Sequence, residues 1–496
     1  MLFPKHRRRP SLLLLLVPLI VSLLYLNHRL ANPLSPSPIF TTARNATTHL
    51  LAPRTQHFWS SLHTLLQKMA PSVSEPLRSL RNPTEQDLDA SKNDNSSPRP
   101  DNIPLTDTDL AALTESHSAY VSALRSLTPR LPVWKGPSGV VMTAGGGYLG
   151  TALTSLLLPR RSGSDLPVHL FLDSPAEADP HLCLTVLPKL NAECVLFSSL
   201  LRPSDGVQHY QYKVLSSLLS PFEKVLYLDS DAWPISSPDR LFTSEPFLSR
   251  GLITWPDFWL TTISPHFHAI ANFSAPPTLR RRSSESGILL YDKRTHAESL
   301  LLATYYNWHG PDVYYPLLSQ HAPGEGDKET FVQAALALAQ PFYDVRTPDT
   351  VLGRWINGTF ETAGMKQADP AADFRLQGGL SGADLEADHA REPPAEKKAA
   401  PLFIHHNLFK IDLFKVGDAS DPMFRLDEEG KPGRLWGPDE KLVRDSGFDV
   451  ERVMWDVVLK ANGGTKTAAA NAAGCGNLKR WYEAVFVEAP PLVDGL

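Results

Sequence analysis

Cysteine is scarce, with three residues in a chain of 496. That excludes a small disulfide-built scaffold. Cys183, Cys194 and Cys475 are also too widely spaced to form a zinc cluster by themselves. A disulfide between two of them is allowed, and the sequence leaves the pair open. Charge of one sign is lacking too: 48 basic residues face 53 acidic ones, for a formal net charge of −5. This gives no electrostatic case for a nucleic-acid partner. No internal repeat and no P-loop signature occur. The composition, 42% apolar and 20% charged, is that of a globular chain. The 44 prolines are unevenly spread, which points to an extended segment beside a core.

One apolar run stands out at residues 11–26, SLLLLLVPLIVSLLYL. Sixteen helical residues span about 24 Å, slightly short of a bilayer core of ~30 Å, and neighbouring residues or a thin bilayer make up the difference. Lys5, Arg7, Arg8 and Arg9 precede it, while only Arg29 follows closely. The charge bias predicts a single-pass type II anchor, with the remainder lumenal. Sequons at Asn45, Asn95, Asn272 and Asn357 agree with a glycoprotein. The expected organisation is a cytosolic tail (1–10), an anchor (11–27), a Pro/Ser-rich stem (28–104) and a catalytic head (105–496). The stem composition is that of a disordered segment, interrupted by a helical patch around Phe58–Met69. Within the head, 366–400 reads as a low-complexity surface insertion.

The head opens with alternating patterns. Strands are expected at Gly139–Thr143, Val168–Leu172, Cys194–Phe197 and Val225–Leu228, with helices between them. This predicts an α/β fold: a single Rossmann-like, mostly parallel sheet with helices on both faces. Ligands of such sheets bind beyond the carboxyl ends of the strands. Two features fall there, the Gly145–Gly147 loop and Asp229-Ser230-Asp231. Glycines let a nucleotide approach the backbone. D-x-D also occurs at Asp87 and Asp107, but only the third copy follows an apolar strand, KVLYLDSD. Carboxylates at i and i+2 on a fraying strand end can face one hard divalent cation, Mn²⁺ or Mg²⁺. Such a cation would neutralise a diphosphate leaving group. Further candidates are the acidic run around Asp327 and Glu329, Glu285 before a strand, and His405-His406 after one. Trp255, Asp257 and Trp259 offer a sugar rings to stack on and a carboxylate to bind.

Three longer segments carry a resemblance. YQYKVLSSLLSPFEKVLYLDSDAWP (210–234), SSESGILLYDK (283–293) and YYPLLSQHAPGEGDKETF (314–331) are similar to the fungal type II Golgi α-mannosyltransferases. They resemble the branch that adds α-1,2-linked mannose to mannan outer chains of N-glycans. The resemblance runs from about Gly139 to Lys410, and more weakly toward Tyr482. It implies a GT-A type fold, GDP-mannose as donor, and Mn²⁺ held by Asp229 and Asp231. It places Thr143, Ala144, Gly145 and Gly146 near the nucleotide, Lys213 near the donor and Lys410 at the diphosphate. Tyr148 stands where the family often has a basic residue. His405 is the implied third metal ligand, with His406 as the alternative. Trp255, Asp257 and Trp259 are the expected acceptor contacts.

An α-linkage made from an α-linked donor means retention. One route is double displacement, for which Asp327, then Glu329, then Glu285 are the candidate nucleophiles. The other is front-face attack, which needs only a positioned acceptor and a stabilised leaving group. The expected partners are GDP-mannose, a mannan or N-glycan acceptor, the membrane, and Golgi mannosyltransferase complexes. The competing readings are an α-1,3-mannosyl or other retaining hexosyltransferase, and a non-catalytic lumenal glycan-binding protein.

Overall fold

The computed structural model describes residues 38–89, 100–133, 137–145, 147–274, 282–379, 393–418, 420–462, 472–488 and 492–493, with side chains from Pro53 onward in the first segment. The expected tail and anchor lie outside these residues. Among the described residues no helix is long and apolar enough to cross a membrane.

Eleven strands form two sheets. The larger has the order β3-β2-β1-β4-β7-β6-β8. Its strands are β1 (Ser138–Thr143), β2 (Val168–Leu172), β3 (Ala192–Leu196), β4 (Lys224–Leu228), β6 (Leu252–Leu260), β7 (Arg282–Asp292) and β8 (Tyr343–Asp344). Only β7 runs against its neighbours, so the expected parallel majority is there. The expectation of a single sheet is corrected. A second, antiparallel sheet has the order β5-β11-β10-β9, from β5 (Ala232–Pro234), β9 (Thr350–Ile356), β10 (Thr359–Ala368) and β11 (Pro401–His405).

Alternation along the strands sorts side chains to the two faces of the large sheet. Val141, Phe171, Val225, Tyr227 and Leu289 join a core with the helices α1 (Pro38–Lys68), α2 (Asp107–Leu124), α4 (Gln211–Leu219), α5 (Ala297–Trp308) and α6 (Thr330–Ala337). Val140, Met142, Leu170, Leu226 and Leu228 face the other core. That one holds α3 (Leu149–Arg161), the small sheet, α7 (Val450–Asn462) and α8 (Ala472–Tyr482). Helices thus cover both faces, as expected.

The stem boundary moves. Phe58, Trp59, Leu62 and Leu66 are buried, one stripe of α1 packed into the first core. The Trp59 indole donates to the Asp205 carboxylate at 2.7 Å. The Leu77 amide donates to Asp312. The described part of residues 53–89 is therefore built into the head, because the helical patch carries enough apolar area to be captured. The insertion boundary moves as well. Lys366, Gln367 and Ala368 complete β10, the inner neighbour of β11. Asp373 follows on a short helix (Pro370–Leu376), fully buried, and accepts from Tyr343, Thr347 and the Arg346 amide. Ala/Asp-rich composition hid a strand end and a buried carboxylate that gathers donors from 343–347. Residues 380–392 lie outside the description. Cys183 and Cys194 form a disulfide, and Cys475 keeps a free thiol.

Candidate active site

Asp229-Ser230-Asp231 is the crossing from one sheet to the other. Asp229 follows the last residue of β4, and its amide still donates to Gly287 of β7 at 2.8 Å. Asp231 precedes β5, and its carbonyl accepts from the His406 amide at 2.9 Å. His405 ends β11, paired in register with Ala232. Two sheets therefore hold the two carboxylates and bring the histidine to them. Ligand atoms of Asp229, Asp231 and His405 lie within 4.8 Å of one another. Two carboxylate oxygens and an imidazole nitrogen suit a divalent cation such as Mn²⁺.

Of the two adjacent histidines, the geometry selects His405. Its Nε2 lies 3.2 Å from Asp231 Oδ1 and its Nδ1 lies 3.2 Å from Glu285 Oε1. Burial works against the imidazolium, but the facing Glu285 and Asp229 outweigh it and raise the pKa. His406 is committed elsewhere: its Nε2 accepts from the Trp436 indole at 3.0 Å. Burial, aided by His405, pushes its pKa down to about 3, so it stays neutral.

Lys213, on α4, is buried behind the carboxylates. Its ammonium lies 3.2 Å from Asp229 Oδ2 and 3.3 Å from Asp327 Oδ2, and donates to the Ser286 carbonyl and hydroxyl. Burial opposes that charge, but Asp229, Asp327 and Glu285 more than offset it, and its pKa rises. Burial also opposes ionisation of Asp229, yet Lys213, His405 and the Tyr227 hydroxyl hold its pKa below the usual range. Asp327 goes the other way: burial and the nearby Asp229 charge raise its pKa despite Lys213. The Tyr227 hydroxyl donates to Asp229 Oδ1 at 2.8 Å and also meets Thr143 Oγ1 at 2.9 Å. This ties the first-strand end to the D-x-D strand.

The expected carboxylates separate by environment. Glu285, Asp327 and Glu329 are 7%, 4% and 1% exposed. Asp327 accepts from Ser286 Oγ at 3.1 Å and holds the start of α6 through its carbonyl. Glu329 accepts from the Ser284 amide at 3.0 Å and from Gln333, so it braces β7 against α6 and is not presented to a reaction centre. Glu285 lies within β7, not in a turn before it. Its Oε1 accepts from the Gly287 amide at 2.6 Å. Gly287 is required there: a Cβ would lie 2.5 Å from His405 Cε1 and 2.9 Å from Glu285 Oε1.

The expected acceptor trio splits. Trp255 is fully buried and its indole donates to the Ala368 carbonyl at 2.9 Å, so it is a core side chain. Asp257 pairs with Lys328 at 2.7 Å, and Trp259 is 36% exposed. Beside them Asp349, buried 3.7 Å from Arg282, has its pKa pushed up to about 8 by burial. On the nucleotide side, Ala144 is buried and its amide donates to Phe171. The Glu177 carboxylate fills the space a Cβ would take at Gly145. Gly146 lies outside the described residues. Gly145, Gly147 and Gly150 also satisfy G-x-G-x-x-G spacing, so the glycines alone do not exclude a dinucleotide loop. The Lys410 ammonium contacts Asp231 Oδ2. It lines a cleft of about 370 Å³ with Gly147, Tyr148, Thr151, Phe409 and Lys415. Lys415 reaches the same cleft from a distant segment and pairs there with Asp412 at 3.0 Å.

Sequence reasoning missed Tyr227, Ser286 and Trp436. Tyr227, two residues before Asp229 in KVLYLDSD, was the one with a local signal.

This is an α/β protein with a cluster of two carboxylates and an imidazole that could hold a cation at its strand ends, and residues 137–283 and 278–369 match a mannosyltransferase family, Mannosyl_trans3. The chain is 34% identical over 412 residues to α-1,2-mannosyltransferase MNN21 of Candida albicans, covering 71% of this chain and 61% of that one. It is 35% identical to MNN24 of the same species, over 55% of this chain and 44% of that one. Against MNN2 of Saccharomyces cerevisiae it is 30% identical over 70% of this chain and 68% of that one. The chain belongs to the fungal α-1,2-mannosyltransferase family. It spans less than two thirds of the length of the first two relatives. The galactosyltransferase LgtC, solved with donor and acceptor sugar analogs, superposes with a TM-score of 0.32 and 12% identity, over 62% of this chain and 95% of that one.

Proposed function

We propose that the chain is a Golgi-lumenal, GT-A type α-1,2-mannosyltransferase that moves mannose from GDP-mannose to a hydroxyl of an α-mannoside, with retention. The observation that carries this is the convergence of Asp229, Asp231 and His405 at the junction of the two sheets, in a chain whose residues 137–283 and 278–369 match the mannosyltransferase family. A Mn²⁺ ion held by these three would supply Lewis-acid stabilisation of the departing diphosphate. Lys410 and Lys415 reach the adjoining cleft, which Asp412 and Asp421 also line, with Lys415 paired to Asp412 at 3.0 Å. Lys213 sets the orientation and ionisation of Asp229 from behind. Asp257 and Trp259 offer the acceptor a carboxylate and an open ring.

We read the reaction as attack by the acceptor on the donor's own face, without an enzyme-bound sugar: Glu285 is engaged by the Gly287 amide, Glu329 by the Ser284 amide, and Asp327 by Ser286 and Lys213. In this reading Asp327 orients Lys213. The test is GDP release and product mass with GDP-mannose and a short α-mannoside, with Mn²⁺ or EDTA. Metal-dependent addition of one hexose, lost in Asp231→Ala, is expected, and nuclear magnetic resonance of the product assigns the linkage. Transfer from a UDP-sugar instead would overturn the donor. A folded protein that neither binds GDP-mannose nor transfers from any sugar of a donor panel would favour the glycan-binding reading.

A further inference from the structure

The sequon Asn357-Gly358-Thr359 is the tip of the β9–β10 hairpin. Ile356 pairs with Thr359, leaving Asn357 and Gly358 as the two-residue loop. Their φ values are 50° and 71°, the two positive angles that a type I′ hairpin turn requires. All three sequon residues are exposed. The Gly358 amide donates to Glu428 at 2.9 Å, which holds the tip in place.

Next to this tip, Trp355 and Phe360 are directly paired across the strands, with ring centroids 5.4 Å apart at 66°. They are 66% and 39% exposed, and Val351, further along β9, is exposed as well. β9 is the outer strand of its sheet. An uncovered apolar outer strand is a template for wrong pairing. Exposed aromatic area of this kind marks a contact surface.

We propose that Asn357 carries an N-linked oligosaccharide whose first sugar packs on the Trp355–Phe360 pair. The C–H face of a pyranose fits an open aromatic pair, and covalent attachment two residues from Trp355 fixes its local concentration. The donor class is a lipid-diphosphate oligosaccharide. Its C1–O bond to the diphosphate breaks and a C1–N bond to Asn357 Nδ2 forms. The amide loses one proton and the lipid diphosphate leaves. The other described sequon differs. Asn272 is exposed, but the adjacent Phe273 packs against Phe267 and His268 and offers no open pair. The inference rests on the lumenal placement proposed above.

The test uses the full chain made in a eukaryotic secretory host. Peptide mass mapping after treatment in ¹⁸O-water with a glycan-releasing amidase, which hydrolyses the glycosylated Asn side-chain amide to an ¹⁸O-labelled Asp, reads occupancy, protease protection reads placement, and thermal unfolding reads packing. Asn357 should be occupied in the wild type and in Thr359→Ser. Asn357→Asp keeps an Asp-Gly turn but removes the acceptor amide, and should lower Tm by several degrees. In a Trp355→Ser or Phe360→Ser background, the same change should shift Tm much less. A protease-protected head with bare Asn357 would overturn the inference and leave lumenal placement standing. A protease-accessible head would overturn both. An equal Tm shift in all backgrounds would overturn the packing on the rings.

Discussion

Glu285 Oε1 stands 3.2 Å from His405 Nδ1, on the side of the imidazole opposite Asp231. Bare Gly287 makes the approach possible. The carboxylate thus fixes the ring so that Nε2 points at the Asp-Ser-Asp crossing. A carboxylate behind a ligating histidine usually contributes about 10–100-fold in metal affinity. Glu285→Gln should weaken Mn²⁺ binding by that order in a calorimetric or paramagnetic titration, with Glu285→Asp in between. Unchanged affinity would remove Glu285 from this role. Gly287→Ala should lose metal binding too, and overpacking should destabilise it by roughly 1–3 kcal/mol.

Lys213 sits between two acids, Asp229 and Asp327. Removing one partner of such a buried group leaves an uncompensated charge, at about 3–5 kcal/mol. Lys213→Met should therefore unfold at markedly lower denaturant. Lys213→Met combined with Asp327→Asn should recover part of that stability, read as a double-mutant cycle, while transfer stays impaired. Strict additivity in the cycle would contradict the coupling.

Asp327 separates the two retaining routes. If it were the nucleophile, Asp327→Asn would cost on the order of 10⁴-fold or more in kcat, in line with removal of a covalent catalyst. Front-face attack with Asp327 as a positioning group predicts a loss of about 10–100-fold, and no mannosyl-enzyme on mass spectrometry under single-turnover conditions. A trapped adduct on Asp327 would reverse our assignment.

Glu451 gives a pH signature away from the site. Its carboxylate accepts from the Leu435 and Trp436 amides, and burial pushes its pKa up to about 7 despite Arg434. The native state therefore binds the proton more tightly than the unfolded chain does. The stabilisation is full below the ordinary glutamate pKa, near 4.3, and is lost as pH rises through about 7. Glu451→Gln keeps one of the two acceptor oxygens, which costs a pH-independent offset, and removes the titration. The stability gap between wild type and variant should change by up to ~3 kcal/mol from pH 4.5 to pH 8 in chemical unfolding. A gap independent of pH would show that Glu451 is ionised throughout.

The strand–helix alternation from Gly139 to Leu228 was legible because each element carries its own period. The D-x-D was legible because an apolar strand leads into it. Glu285 was expected just before a strand, whereas β7 already runs through Ser-Glu-Ser-Gly, where β propensity is weak. Trp255 and Trp259 look equivalent in WPDFW. Their four-residue separation along β6, whose pairing with β7 shifts register, leaves one buried and one open. The small sheet was missed because β5 is three residues long and its partners lie more than a hundred residues away.

By itself the sequence determined the family, the α/β class and the Asp-Ser-Asp motif. These rest on local pattern and composition, which survive without knowledge of what packs where. Only the tertiary structure decided that His405 rather than His406 faces the carboxylates, that Lys213 binds two acids, that Cys183 joins Cys194, and that α1 belongs to the head. Each depends on groups far apart in the chain meeting in space. Those meetings are set by sheet order and core packing, not by any residue's near neighbours.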